Sequence, residues 1–249
     1  MLNDKEVYLG LDVSTKTIGI CLLVNDGSDK GSIIELTHIS PKAPKGVKGT
    51  EELFIKTVMF EEFISKYKDI EIDKVVIEEP LVKSNNALTV ASLLRFNGMV
   101  SLSIYRMFGV VPQYISSYDA RKYAFPDLIA PRKYGKDDMV YPRDKILKEV
   151  RQNKLTLFGG YPWTIDKKAV IQNKVAELFP SIQWVYNKGG ELVKQNFDAT
   201  DAYVAVMGFL NKERFGDIEL KVSNISEEEK SVSYDVTYWG KTEQRKTYF

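Results

Sequence analysis

The sequence predicts an α/β fold in which a mixed β-sheet is flanked by helices. Two adjacent apolar runs have the pattern of a β-hairpin, and a third, β-branched run follows a helical segment. Long helical patterns separate the remaining strands, as expected for sheets covered by helices. With 249 residues, 44% of them hydrophobic, the chain is long enough to bury a full core.

Composition excludes several classes of protein. No apolar run approaches the ~20 residues that a membrane-spanning helix needs, and residues 1–6 lack the features of a signal peptide. The single cysteine, Cys21, excludes an internal disulfide framework, and with a single histidine a Cys/His zinc site is implausible. We therefore expect a cytoplasmic protein.

The first strand carries an acidic residue at its inner end. Alternation over residues 7–12 predicts a buried strand, residues 18–24 its antiparallel partner, and residues 14–17 the turn between them. Asp12 stands at the end of the first strand. Because burying a carboxylate is costly without a cation, we expect Asp12 to have a positively charged partner.

The sheet is expected to continue beyond the hairpin. Residues 32–40 are predicted to form a third strand, and a helix should begin at Thr50, whose hydroxyl would cap its first turn. The next strand, within residues 73–78, follows that helix and should lie parallel to the first. It ends at Glu78. Two buried strands that both end in carboxylates, here Asp12 and Glu78, together favour a shared cation.

The middle of the chain alternates helical and irregular patterns. Residues 85–108 form an apolar helical pattern, which indicates burial on two sides or at a subunit contact, and residues 110–116 are predicted to form a strand. Basic and aromatic residues interleave over 117–125, which is typical of surfaces that hold phosphates and stack on bases, although an ordinary amphipathic surface has the same composition. Residues 126–165 are interpreted as an insertion with one helix, 143–153.

Two later helices carry charged residues in their first turns. A helix over 166–179 is expected to be capped by Asp166, and it places Lys167 and Lys168 where an anion is favoured over a purely structural role. The helix that begins near residue 196 has Asp198 and Asp201 three residues apart, on one face. They would repel each other unless a cation bridged them or they served the helix N-terminus.

Together, the strand acid in Leu9-Gly10-Leu11-Asp12, the strand acid in Val76-Ile77-Glu78 and the helix Asp198-Ala199-Thr200-Asp201-Ala202 resemble the RuvC family of Holliday junction resolvases. That family belongs to the ribonuclease H-like nucleases, so the resemblance implies a ribonuclease H-like mixed sheet. It covers roughly residues 5–212. Residues 83–87 and 95–98 also resemble the loop and the dimer helix that follow the family's second acid.

The resemblance implies a site of four carboxylates that acts as both the catalytic and the metal centre, formed by Asp12, Glu78, Asp198 and Asp201. Oxygen ligands of this kind select Mg²⁺, for which Mn²⁺ can substitute, and two such ions are expected at the site. The implied activity is that of a Mg²⁺-dependent endodeoxyribonuclease of DNA recombination and repair. It would hydrolyse phosphodiesters in four-way or branched DNA to 5′-phosphate and 3′-hydroxyl ends.

The resemblance also implies a two-fold homodimer that binds branched DNA, with no membrane partner. The candidates for DNA contact are Leu81, Lys83, Asn85, Arg121, Lys122, Lys167 and Lys168. Leu81 stands near the position where the family commonly inserts an aromatic side chain into the junction.

Two domains are predicted. Residues 1–215 would form the nuclease domain with its insertion, and residues 216–249 a C-terminal β appendage with strands over 218–222, 232–238 and 242–249. The appendage is expected to bind DNA or a partner.

Other activities remain open at this stage. Residues 10–15 also resemble the first phosphate loop of actin-like, ATP-dependent kinases, although the chain is too short to hold both kinase domains comfortably. A non-catalytic protein that binds branched DNA is a further alternative. Among nucleases, the motifs do not separate a strict junction resolvase from an enzyme that cuts flaps or other branched substrates.

Overall fold

The computed structural model describes residues 5–80, 86–130, 142–154, 156–157, 166–193 and 196–249. The strands are β1 (Glu6–Val13), β2 (Ile18–Asn25), β3 (Ser32–Ile39), β4 (Lys74–Glu78), β5 (Gln113–Ile115), β6 (Ile129–Ala130), β7 (Thr156–Leu157), β8 (Glu219–Ser226), β9 (Ser231–Tyr238) and β10 (Lys241–Tyr248). The α-helices are α1 (Thr50–Ile64), α2 (Ala87–Phe108), α3 (Ser117–Ala124), α4 (Arg143–Arg151), α5 (Lys167–Leu178) and α6 (Asn196–Phe215).

The main sheet has five strands in the order β3-β2-β1-β4-β5. β1, β2 and β3 are antiparallel neighbours, whereas β4 runs parallel to β1 and β5 runs parallel to β4. The predicted hairpin and the predicted parallel strand are therefore both present. The mixed sheet, its helices and the separate C-terminal strands confirm the predicted fold class.

One face of β1 packs in the main hydrophobic core, and the other carries Asp12. Leu9, Leu11 and Val13 belong to the main hydrophobic core, which also contains Phe60 of α1 and Phe96 of α2. Because side chains alternate along a strand, Gly10 and Asp12 face the other side of the sheet. The acidic residue thus lies on the face opposite α1 and α2.

The chain divides into two compact units. One comprises residues 1–120 and 171–207, and the other comprises residues 121–170 and 208–249. In the second unit α4 packs against β8 and β9 of a three-stranded antiparallel sheet, and alternate residues of β9 are buried there. These units do not follow the predicted boundary after residue 215, and the assignment of residues 1–215 and 216–249 as domains stays a prediction.

Two local expectations differ from the structure. The N-cap of α1 is Gly49, at φ 67°, and no side chain caps the helix, so the predicted cap by Thr50 is wrong. Thr50 already lies within the first turn, where its hydroxyl does not reach the free N–H groups. β5 is also shorter than the predicted 110–116, because only three of its residues pair with β4 and Pro112 lacks the N–H that pairing needs.

The helix α2 departs from the expectation that no apolar run approaches the length of a membrane span. Within its 22 residues, an 18-residue stretch with a mean hydropathy of 1.4 would allow it to cross a membrane by length and composition, and 28% of that stretch is buried. One such helix among the described residues is weak evidence for a membrane protein, since core helices of soluble proteins have the same properties.

Candidate active site

Asp12 and Glu78 lie side by side at the ends of two parallel strands. The parallel register of β1 and β4 runs to the pair Leu11 and Ile77, so Asp12 and Glu78 form the next pair along the strands. Leu11 and Ile77 both face the main core, and alternation turns both acids to the opposite face. Both acids are half-buried. Two adjacent carboxylates on one face repel each other and attract a cation.

Helix α6 packs directly on this acidic face. Asp12 pairs with Gly19 across β1 and β2, and a Cβ added to Gly19 would lie 1.8 Å from the carbonyl oxygen of Asp198. A Cβ on Gly10 would likewise lie 2.4 Å from the carbonyl oxygen of Ala202. Cross-strand partners share a face, so the first turns of α6 lie over the strand pair that carries Asp12.

The carboxylate of Asp198 is bound to the turn between β1 and β2. The Thr17 hydroxyl donates to Asp198 Oδ2 at 2.5 Å. Thr17 Oγ1 also lies 3.1 Å from Ser14 Oγ, and the Thr17 N–H donates to that Ser14 oxygen at 3.0 Å. The turn after Asp12 therefore orients the acid that α6 contributes.

Asp201 is the most buried of the four acids, with a relative exposure of 3%. It follows Asp198 by about one helical turn and extends the acidic stretch into the body of α6. Glu79, beside Glu78, is exposed, and its N–H donates to the Ile115 carbonyl at 2.8 Å. By strand alternation Glu79 faces away from Asp12, which agrees with the choice of Glu78 as the candidate ligand.

The donor set fits a hard divalent cation. Only carboxylate oxygens are offered, which are the ligands that Mg²⁺ and Mn²⁺ prefer. Within the described ranges, no three or more His, Cys, Asp or Glu side chains form a group that could hold a metal ion as they stand. The backbone brings Asp12, Glu78 and Asp198 to one end of the sheet, so ligation requires the Asp12 and Glu78 side chains to turn toward the Asp198 carboxylate that Thr17 holds.

The basic candidates lie in the second compact unit. Arg121 and Lys122 are half-buried on α3, and the Lys122 ammonium lies 5.0 Å from the centre of the Tyr123 ring. Lys167 and Lys168 are exposed in the first turn of α5. Their role toward DNA stays a prediction.

Asp166 caps α5 as predicted, because its Oδ1 accepts the N–H groups of Lys168 and Ala169 at 3.0 and 3.2 Å. The remaining candidates for DNA contact, Leu81, Lys83 and Asn85, lie outside the described residues.

Sequence reasoning missed the residues that assemble the site: Gly10, Gly19, Thr17, Lys56 and Asn97. The glycines could have been found, because a glycine inside a buried strand marks a close approach by another backbone. The sequence carries no such signal for Lys56 and Asn97. Their side chains donate hydrogen bonds to the main-chain carbonyls of Thr15 and Val13, which are distant in the sequence.

No protein-family model matches the chain, and no curated protein matches it. Several solved structures are similar to this chain. Thermus thermophilus RuvC covers 84% of this chain and 95% of its own, at 12% identity and a TM-score of 0.48. T. thermophilus RuvC in complex with Holliday junction substrate gives the same coverages at 8% identity and 0.44.

The yeast mitochondrial Holliday junction resolvase Ydc2 covers 82% of this chain and 78% of its own, at 15% identity and a TM-score of 0.45. The chain is thus similar to structures of the family that its motifs resemble.

Proposed function

We propose that this chain is a divalent-metal-dependent endonuclease that cuts branched DNA, with the four-way junction as its preferred substrate. The observation that supports this most is the side-by-side placement of Asp12 and Glu78 under the first turns of α6, where Asp198 is bound to the β1–β2 turn. The sequence motifs around these acids are those that resemble the RuvC family. The products would carry 5′-phosphate and 3′-hydroxyl ends.

Each acid has a distinct structural origin in this proposal. Asp12 and Glu78 offer oxygens from the sheet, whereas Asp198 and Asp201 offer oxygens from the helix that packs on it. Strand pairing positions the first set, and helix packing on Gly10 and Gly19 positions the second. When bound, two Mg²⁺ ions would supply an activated water and charge stabilisation for the leaving oxygen.

The acidic site implies that other residues of the protein bind the DNA. A cluster of carboxylates repels a phosphodiester unless cations neutralise it, so DNA affinity must come from basic residues elsewhere. Arg121, Lys122, Lys167 and Lys168 are the described candidates for such phosphate contacts, together with Lys83. Contacts to phosphates position DNA without reading its sequence, which suits recognition of a branched shape.

We place a homodimer contact on α2. Leu94, Leu102 and Tyr105 are 44, 56 and 51% exposed and, at helical spacing, lie on one face. Gly98 lies on the same face, and a Cβ there would meet nothing within 4 Å, so a second helix can approach closely. A two-fold contact through this apolar stripe would present two acidic sites to the two halves of a junction.

The test is cleavage of end-labelled four-way junction, flap and linear duplex by the wild type and Asp12→Asn, with Mg²⁺ titrated. Asparagine keeps the shape of the side chain and removes its charge. We expect paired symmetric nicks in the junction that depend on Mg²⁺ and fall by at least ~100-fold in Asp12→Asn, the upper end of the loss seen when groups that orient a metal ligand are removed. Metal-free junction binding should be unchanged. Asp69→Asn, an exposed acid on the same unit, is the matched control and should cut like the wild type.

The other outcomes contradict specific parts of the proposal. Selective cutting of flaps would keep the metal-dependent nuclease and reject the junction as substrate. Junction binding without cleavage in Mg²⁺ or Mn²⁺ would reject the catalytic role and favour a non-catalytic DNA-binding protein. ATP binding by a chain that cuts no DNA would instead favour the kinase alternative.

A further inference from the structure

The turn that follows Asp12 is held by a buried cation from α1. Lys56 is 7% exposed, and its ammonium donates to the Thr15 carbonyl at 2.7 Å. The same ammonium lies 2.6 Å from Glu52 Oε1, one helical turn earlier. A buried ammonium is costly unless it is paired and hydrogen-bonded, so this lysine serves a specific contact and is not a solvated surface charge.

A second helix, α2, also contacts this turn. Asn97 is 3% exposed, and its Nδ2 donates to the Val13 carbonyl at 3.3 Å and to the Leu93 carbonyl at 3.0 Å. Val13 directly follows Asp12. The carbonyls on the two sides of Ser14 are therefore fixed by side chains from two different helices.

The turn between β1 and β2 also orients Asp198, an acid of the candidate site. The Ser14 N–H donates to the Thr17 carbonyl at 2.9 Å, which closes the turn, and the Ser14 hydroxyl lies 3.1 Å from Thr17 Oγ1. Thr17 then donates to Asp198 Oδ2. A continuous chain of contacts thus runs from the Lys56 ammonium through the turn to the Asp198 carboxylate.

We propose that Lys56 and Thr17 are positioning residues that pre-set the Asp198 carboxylate for divalent-cation binding. Lys56 fixes the turn, and the Thr17 hydroxyl fixes the rotation of the carboxylate. This inference rests on the proposed metal-dependent function. Partners that orient a ligand in this way typically change metal affinity by ~10-fold to ~100-fold when they are removed.

The test measures Mn²⁺ binding to the whole chain by titration calorimetry, without DNA. Thr17→Val keeps the shape of the side chain but removes the hydroxyl, and it should weaken Mn²⁺ binding by at least ~10-fold, whereas Thr17→Ser should bind like the wild type. Lys56→Met should also weaken binding. If Lys56 acts through Thr17, the double variant should lose less Mn²⁺ affinity than the sum of the losses in Lys56→Met and Thr17→Val.

The sign of the Lys56 effect separates positioning from simple charge repulsion. A nearby positive charge disfavours a bound cation, so its removal would tighten Mn²⁺ binding if Lys56 acted only through its charge. Weaker binding in Lys56→Met therefore identifies positioning. Glu52→Gln, which removes the ion pair but leaves the bond from Lys56 to Thr15, should retain most of the wild-type affinity.

Thr37→Val is the matched control for Thr17→Val, because both threonines are half-buried, and Thr37 lies on β3 and not in the β1–β2 turn. Wild-type Mn²⁺ affinity in Thr17→Val, or tighter binding in Lys56→Met, would overturn the inference while leaving the proposed function intact. A wild type that binds no Mn²⁺ would instead reject the metal site itself. Thermal unfolding of every variant identifies any change that merely unfolds the chain.

Discussion

Replacing Gly19 by alanine is expected to push α6 away from the sheet at the point where Asp198 enters the candidate site. The new Cβ would lie 1.8 Å from the Asp198 carbonyl oxygen, 2.2 Å from its carbon and 2.8 Å from the Ala199 nitrogen. Cβ atoms essentially never come within 3.0 Å of another atom. All three neighbours are main-chain atoms that cannot rotate away, so the start of the helix must move by more than about 1 Å.

Two magnitudes follow from this displacement. Overpacking a well-packed contact lowers the free energy of unfolding by about 1–3 kcal/mol. A misplacement of ~1 Å in catalytic geometry can cost ~100-fold in rate. Gly19 lies outside the residues with positive φ, so alanine is tolerated by the local backbone and the whole effect comes from the contact with α6.

The assay pairs urea unfolding with single-turnover cleavage of a four-way junction. Gly98→Ala is the matched control for unfolding, because within the chain a Cβ there meets nothing within 4 Å and alanine in a helix stabilises it by up to ~1 kcal/mol relative to glycine. Its cleavage is not compared, since Gly98 lies on the proposed dimer contact. We expect the two substitutions to change stability in opposite directions. Wild-type stability and cleavage in Gly19→Ala would refute the close packing of α6 on β2.

Three further outcomes are expected. Hydrogen bonds from Ser28 and Ser32 lower the pKa of Asp26 to about 2. Ser32→Ala should therefore lower Tm at pH values above 3.8, the pKa of the unfolded chain, and the difference in Tm should vanish as the pH falls through about 2. A difference in Tm that does not depend on pH would contradict this. Burial raises the pKa of the Cys21 thiol, so iodoacetamide should label the denatured chain and spare the native one at neutral pH. Leu102→Lys on α2 should turn a dimer into a monomer in analytical ultracentrifugation, and a monomeric wild type would reject the proposed contact.

The positions of Asp12 and Glu78 could be predicted because they depend on local patterns. Alternation and β-branched residues mark β1, β2 and β4, and the helix before β4 implies a parallel neighbour. Once the strands are paired, their acidic ends meet without any further information. The spacing of Asp198 and Asp201 likewise places both acids within about one turn of one helix.

The way in which the helix meets the sheet could not be predicted, because it depends on contacts between distant parts of the chain. Gly19 and Asp198 touch through backbone atoms, and nothing in either local pattern names the other. The same holds for Lys56, whose charge looks like that of any helical lysine until the Thr15 carbonyl is seen beside it. Its burial is a property of the assembled core.

The incorrect cap of α1 has a local cause. Thr50 follows Gly49, and both residue types occur at helix starts. The Gly49 carbonyl accepts the N–H of Leu53 at 3.3 Å, so the helix begins one residue earlier than a threonine cap requires. A positive φ at Gly49, which glycine adopts without strain, allows the chain to enter the helix at that angle.

The most direct test of the proposed site is anomalous diffraction from crystals soaked in Mn²⁺. We expect one or two anomalous peaks within bonding distance of the carboxylates of Asp12 and Glu78, with Asp198 or Asp201 completing the ligand set. These peaks should be lost in Asp12→Asn. Peaks elsewhere on the chain, or none at a concentration that supports cleavage, would contradict the assignment of these acids as the metal centre.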